Sequence, residues 1–277
     1  MEFYLSAFVL GLCLSCVSLG IFISMKIFRI PDITTDGSYT LGAVVTALCL
    51  THHWSPFLTM PIVFASGCCA GFLTGIVHTK LRVDALLAGI LVMTALYSVN
   101  LVLLGRSNVP LIDVSTFSGL ANIAVFVCVL VVLLSFLLRT DFGIAMRAVG
   151  NSESMTRALG INNDFMKIIG LGLANALTAL GGFLVAQYQN FTDINMGIGI
   201  VITGLGSVLI GDRLVSWFHI RPILLQLLMM IAGSLVFQFV LAFTLSIGVD
   251  PNLLKLVTSL FVLVIVGIPL IRLRRAT

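Results

Sequence analysis

Residues 119–167 read GLANIAVFVCVLVVLLSFLLRTDFGIAMRAVGNSESMTRALGINNDFMK. The first part, 119–138, carries no charge over about 20 residues, the length that a helix rising about 1.5 Å per residue needs to cross the hydrocarbon of a bilayer. The second part, 139–167, is the longest polar stretch in the chain. Further apolar runs occupy 3–25, 37–52, 56–78, 85–104, 167–188, 195–211, 221–244 and 252–271. The pattern predicts an all-α integral membrane protein of about nine transmembrane helices. It is a single domain over 1–277, and its one long loop is 139–167.

Composition agrees. Of 277 residues, 59% are hydrophobic and only 9% charged, against about 25% charged in a soluble domain. So few charges cannot cover a water-facing surface, so lipid is the solvent for much of this chain. The polar stretch 139–167 is too short to be a catalytic domain. The net charge of +4 is no nucleic-acid footprint, because the basic residues sit at the ends of apolar runs. With the N-terminus outside and the C-terminus cytoplasmic, all 15 Lys and Arg except Arg106 and Lys255 fall on the cytoplasmic side, as the positive-inside rule requires. No basic segment precedes the first apolar run, which reads as a span and not as a cleaved leader. The six cysteines lie inside apolar runs. Cys13 and Cys16 form a CxxC on a hydrophobic helix, where thiols behave as small apolar groups.

The outer loops, 52–56, 106–118, 189–195 and 246–251, are short. The cytoplasmic loop has helix punctuation. Asn151 or Ser152 suits an N-cap, Glu153 the positive end of the dipole, and Gly160 a left-handed stop. A helix over 152–159 follows, with Met155 and Leu159 on one face and Glu153 and Arg157 on another. It is either a lever held against the membrane surface or an interfacial helix that completes a loop.

Polar residues inside apolar runs are costly in lipid and face partners or cavities. Asp32 and Asp36 flank Ile33, Thr34 and Thr35 at the start of the second run. Either they face a cavity, or Asp36 caps the second helix. Tyr97 and Asn100 share a face of the fourth span; Asn175 and Thr178 share one of the sixth, with Gln187 beyond. Such pairs either join helices or line a path. Gly197, Gly199, Gly204, Gly206 and Gly211 give the seventh span a surface without side chains, suited to internal packing or to contact between two copies. His52, His53, His78 and His219 lie at span ends, and no metal-binding pattern is expected. There is no phosphate-binding GxxxxGK[ST] loop, no GxSxG and no HExxH. The chain is therefore not expected to hydrolyse ATP or to act as an enzyme of those types.

The segment 143–162, with RAVGN before ALGIN, resembles the cytoplasmic coupling loop of the branched-chain amino-acid and ribose permease family of ATP-binding-cassette importers. PDITTDGSYTLGA at 31–43 is similar to that family's early motif, and GGFLVA at 181–186 and the stretch 199–211 to its later glycine-rich spans. The likeness covers about residues 20–275 and looks closest to the branch associated with tryptophan and tyrosine uptake. It implies a type II importer permease fold in the bacterial cytoplasmic membrane. Gly150, Asn151, Ser152, Glu153, Met155, Arg157, Ala158, Leu159, Gly160 and Ile161 would sit in a groove of the ATPase subunit. Thr34, Thr35, Asp36 and Ser38 would lie near the pathway, with Tyr97, Asn100, Asn175 and Thr178 as further candidates. The resemblance also implies ATPase partners carrying ATP and Mg, an extracytoplasmic substrate-binding protein, a second permease copy, and a small solute, an aromatic amino acid first. The competing expectation is a stand-alone secondary transporter. That would need an ion-coupling carboxylate deep in a span, and the runs 56–78, 85–104 and 119–138 contain none.

Overall fold

The computed structural model describes residues 2–112, 117, 119–250 and 253–274, with side chains through residue 265. The elements are α1 (Glu2–Ile21, continued by a π-helical turn, Phe22–Ile27), α2 (Thr34–Thr51), α3 (Pro56–Thr79), α4 (Ala85–Leu104), β1 (Asn108–Pro110), α5 (Leu120–Arg139), α6 (Asp141–Asn151), α7 (Glu153–Ala158), α8 (Asn163–Gln189), β2 (Phe191–Asp193), α9 (Ile200–Trp217), α10 (Ile223–Ser246) and α11 (Leu254–Arg274). The strands pair antiparallel, Val109 opposite Thr192, and cover one end of the bundle. Helices α6 and α7 cover the other.

Among the described residues, 7 helices are long and apolar enough to cross a membrane: α1 with its π turn, α3, α4, α5, α8, α9 and α10. The sequence pattern predicts about nine; α2 and α11 make the difference. Helix α2 has the length, but it is rich in Thr, Ser and Gly, and 14 of its 18 residues are buried. Protein encloses it in place of lipid, so it has no need of an apolar surface. The described apolar part of α11, Leu254–Ile265, is short. The side chains of Arg272 and Arg274 and all of Arg275, on which part of the charge count rests, lie outside the described residues.

Burial sorts the spans. The apolar windows of α1 and α8 are each 83% buried, against 28–33% for the other five. Helix α8 is the centre, packed on α3, α2 and α1. Its neighbours approach at backbone distance because glycine faces it. Gly67, Gly71 and Gly75 recur at every fourth position of α3 and lie against Ala176, Leu171 and Ile168 of α8; a β-carbon on Gly71 would meet the Leu171 carbonyl. Gly42 of α2 lies against Ala179, and Gly20 of α1 against Ala174. Small residues spaced by four are the means by which helices associate where lipid removes the hydrophobic drive. In α9, Gly204 meets Val17 and Ile21 of α1, Gly206 meets Phe237 and Val262, and Gly211 meets Met229 and Met230 of α10. These three glycines serve packing within the chain.

The loop 139–167 holds two helices where the sequence reading expects one. Helix α6 has Thr140 as its N-cap, accepting from the Gly143 amide at 3.4 Å, and it buries Met146 and Val149.

Prediction. Gly71→Val forces the α3–α8 contact apart. It should lower stability by about 1–3 kcal/mol, read as a reduced melting temperature in detergent. Gly119→Ala, where among the described residues an added methyl meets only Asn122, should leave the melting temperature unchanged.

Candidate functional site

Two helices start inside the bundle, and the first, α2, does so where Thr34 meets Thr74 near the end of α3 and Gly89 near the start of α4. Gly37 in the first turn of α2 packs on Met93 and Leu96, halfway along α4. From there α2 runs toward the strands, where Thr192 of β2 donates to the Ala43 carbonyl at 3.3 Å. Helix α9 begins beside the same turn and runs the other way, to an ion pair between Asp212 and Lys26 at 2.6 Å. A helix start leaves amides unpaired, and no water is available in lipid to bond them. Two aspartates do so here. Asp32 Oδ1 accepts from the Thr34 amide of α2 at 2.9 Å. Asp36 Oδ2 accepts from the Gly199 amide at 3.0 Å, and its Oδ1 from the Val201 amide of α9 at 2.8 Å. The sequence offers Asp36 as a cap of its own helix, but the structure makes it the cap of α9. Gly199 stands at φ +90°, a backbone conformation natural to glycine.

Asp32 is 2% exposed. Its Oδ2 accepts from Asn175 Nδ2 of α8 at 2.7 Å, and Asn175 Oδ1 in turn accepts from Ser38 Oγ at 2.7 Å. Thr34 bonds Thr74 of α3 at 2.8 Å, and Thr35 donates to the Asp32 carbonyl at 3.2 Å. Thr178 donates to Ala174 within α8 at 3.0 Å. Thr34, Thr35, Ser38, Asn175 and Thr178 are thus fully enclosed and bonded to protein.

Three candidates face a different space. Asp36, Tyr97 and Asn100 line one small cleft together with Thr40, Gly197 and Ile198. Tyr97 is 47% exposed and Asn100 1%. Asn100 Nδ2 donates to the Gly37 carbonyl at 3.3 Å. The ten candidates in 150–161 lie at the far end of the bundle, on and beside α7.

Helix α7 is short, so its position depends on clamps. Ser152 is its N-cap, accepting from the Met155 amide at 3.4 Å. Gly160, at φ +80°, ends it: the Gly160 amide bonds the Arg157 carbonyl and the Ile161 amide the Thr156 carbonyl, the paired closure of a Schellman turn. Thr156, its buried residue, donates to Asn163 Oδ1 at 2.8 Å, while Asn163 Nδ2 donates to the Glu153 carbonyl at 2.8 Å. Glu153 pairs with Lys167 of α8 at 2.7 Å, not with Arg157 one turn along. Gly150 seats against the Ile27 carbonyl at the end of α1. These bonds fix α7 to the start of α8 and turn its other face outward. Met155 and Leu159 are 63% and 66% exposed, and Arg157 makes no ion pair among the described residues. Sequence reasoning missed Asn163 and Thr156. Their signal was present: Asn162 caps α8 through the Phe165 amide at 3.1 Å, and the next side chain of an Asn–Asn pair is free to reach back.

Seven helices long and apolar enough to cross a membrane among the described residues, two helix starts meeting inside the bundle and a clamped, outward-facing helix at one end define a polytopic membrane protein. Comparison with known proteins makes this specific. A family model described as the branched-chain amino acid transport system permease component matches residues 3–267, and the chain belongs to that family. It is 40% identical over 266 residues to the tyrosine transport system permease protein of Clostridioides difficile, spanning 94% of this chain and 88% of that one. An uncharacterised protein of Rickettsia prowazekii is 31% identical over 94% of this chain and 95% of its own length. A permease of the autoinducer 2 import system of Salmonella paratyphi B is 22% identical over 65% of this chain and 54% of that one. A solved structure of an inward-facing ABC transporter, described as of metal-chelate type, superposes with a TM-score of 0.51 at 15% identity, covering 98% of this chain and 85% of that one; it supports the fold. The protein is a multi-pass permease of the bacterial inner membrane.

Prediction. Asn175→Leu leaves a carboxylate oxygen of Asp32 and the Ser38 hydroxyl without partners. It should cost about 3–5 kcal/mol, whereas Thr178→Val loses one neutral bond within its own helix, about 1 kcal/mol. Thermal unfolding of the two variants in detergent should rank them in that order.

Proposed function

We propose that the chain is the translocation subunit of an ATP-driven importer. In this reading two copies enclose the pathway, with the N-terminus outside and the C-terminus in the cytoplasm, and α11 completes a bundle of nine spans. The observation that carries it is α7, whose apolar residues Met155 and Leu159 face away from the contacts, two hydrogen bonds and one ion pair, that hold the helix to α8. An exposed apolar face with a basic residue between, at the end where the basic loop residues gather, suits docking into a protein groove. The occupant we assign is the ATPase subunit. Gly150, Asn151, Ser152, Glu153, Met155, Arg157, Ala158, Leu159, Gly160 and Ile161 form the contact, and ATP and Mg²⁺ are held by that partner.

A substrate-binding protein docks at the opposite end, over the β1–β2 sheet. Asp36, Tyr97 and Asn100 border the pathway, and Thr34, Thr35, Ser38, Asn175 and Thr178 hold its wall. The 40% identity to a tyrosine permease favours an aromatic amino acid as the solute. ATP binding closes the ATPase pair and moves α7; the chain then offers its pathway to one side or the other. A stand-alone ion-driven transporter is less well supported. Its coupling carboxylate must exchange ions with water, yet Asp32 is sealed and both Asp36 oxygens are held by α9 amides.

Prediction. Membrane vesicles containing this chain with its ATPase and binding protein should accumulate tyrosine when supplied with ATP, and a protonophore should not prevent it. Arg157→Glu should reduce that uptake more than tenfold at an unchanged amount of membrane-inserted protein. Uptake without ATP that collapses with the proton gradient would favour the ion-driven transporter.

A further inference from the structure

Asn100 is the exception to an otherwise complete pattern of bonding. Its Oδ1 is the buried side-chain polar atom that has no partner among the described residues, although buried polar atoms are nearly always bonded. The orientation of the amide is fixed by its other half: Nδ2 donates to the Gly37 carbonyl, and turning the group over would set two oxygens against each other. Oδ1 is therefore an acceptor held ready, and Asn100 lines the cleft shared with Asp36, Thr40, Tyr97, Gly197 and Ile198. No Lys or Arg lines that cleft. Lys255, whose charge reaches Asp36, acts from outside the lining. The cleft is lined by a carboxylate, by the residue whose amide oxygen is unpaired and by a half-exposed tyrosine, with a volume too small for more than one polar head group.

We propose that this cleft receives the primary ammonium group of the transported solute, with Asn100 Oδ1 as its hydrogen-bond acceptor and Asp36, whose oxygens stay bonded to the α9 amides, as a nearby counter-charge and not a direct ligand. The proposal rests on the importer reading and adds to it: the permease itself, and not only a binding protein, reads the amino end of the solute. Tyr97 stands where the remainder of the solute would lie. Asp36 and Asn100 are positioned by bonds to α9 and to Gly37. A weak site of this kind suits a path, where a solute must enter and also leave.

The test uses the purified chain in lipid nanodiscs with two probes that share one ring. Tyramine has the ammonium group and no carboxylate; desaminotyrosine has the carboxylate and no ammonium group. Tyramine at millimolar concentration should raise the melting temperature of the wild-type protein, and desaminotyrosine should not. In Asn100→Leu the tyramine concentration for half the effect should rise at least tenfold. Asn100→Asp, which keeps an acceptor there, should retain the effect. The wild-type comparison decides the matter even if Asn100→Leu does not fold. Equal effects of the two probes, no effect of tyramine (a bound water only), or an undiminished effect in Asn100→Leu would each overturn the proposal. ATP-driven tyrosine uptake in vesicles alongside such a result would remove the ammonium site and leave the importer reading standing. Absence of that uptake would remove the importer reading.

Discussion

A charged carboxylate inside a membrane bundle must be bonded by protein, because the surrounding lipid offers nothing. Asp32 and Asp36 meet that requirement in two directions, and the centre of the molecule is arranged around how they do so. Asp32 ties the start of α2 to Asn175 of α8, and Asp36 ties the same turn to the start of α9. The two helix starts supply amides that would otherwise be unpaired, and the aspartates supply the acceptors. Each solves the other's problem. The result is a break inside the bundle, with α2 leaving toward the strands and α9 toward the loop helices.

Helix α8 joins this centre to the far end. Its first residue, Asn163, holds α7 by two hydrogen bonds; its middle carries Asn175. Between them Gly71 and Gly75 of α3 lie against its backbone at Leu171 and Ile168. A packed interior of this kind transmits displacement because it has little compressibility. In the proposed function a push on α7 would pass to α8, and through Asn175 and Asp32 to the first turn of α2. Asp36, in that same turn, holds α9. The contacts form an unbroken physical chain from the exposed face of α7 to the cleft at Asn100, and coupling between distant sites needs such a chain together with two discrete arrangements of it.

Much of this was legible in the sequence. Long apolar runs place the seven strongest spans, and Ser152 with Gly160 places α7 within one residue at each end. What could not be read has physical reasons. Helix α2 looks like a weak span because hydropathy measures fitness for lipid, and this helix meets protein on nearly every side. The glycines of α9 invited two readings, internal and external packing, since a small residue says that something comes close and not what. The partner of Asp36 is 163 residues away along the chain, and no local pattern announces a cap supplied by another helix. The candidate polar residues stand out in the sequence because they interrupt apolar runs, but type and spacing do not separate Ser38, bonded inside, from Asn100, with an oxygen left open. Helix α6 is, like the Asn163–Thr156 clamp, an avoidable omission: Thr140 as a cap and the spacing of Phe142, Met146 and Val149 were there to be read.

The most direct test of the account is a contact made at α7 in living cells. A photo-reactive amino acid placed at Leu159, in place of the leucine, should crosslink on illumination to a nucleotide-binding ATPase subunit identified by mass spectrometry, while the same group at Trp54, toward the other end of the bundle, should not. An adduct with that ATPase from Trp54, or no ATPase adduct from Leu159 in a protein that is inserted and folded, would contradict the assignment of α7 as the surface through which this permease is driven.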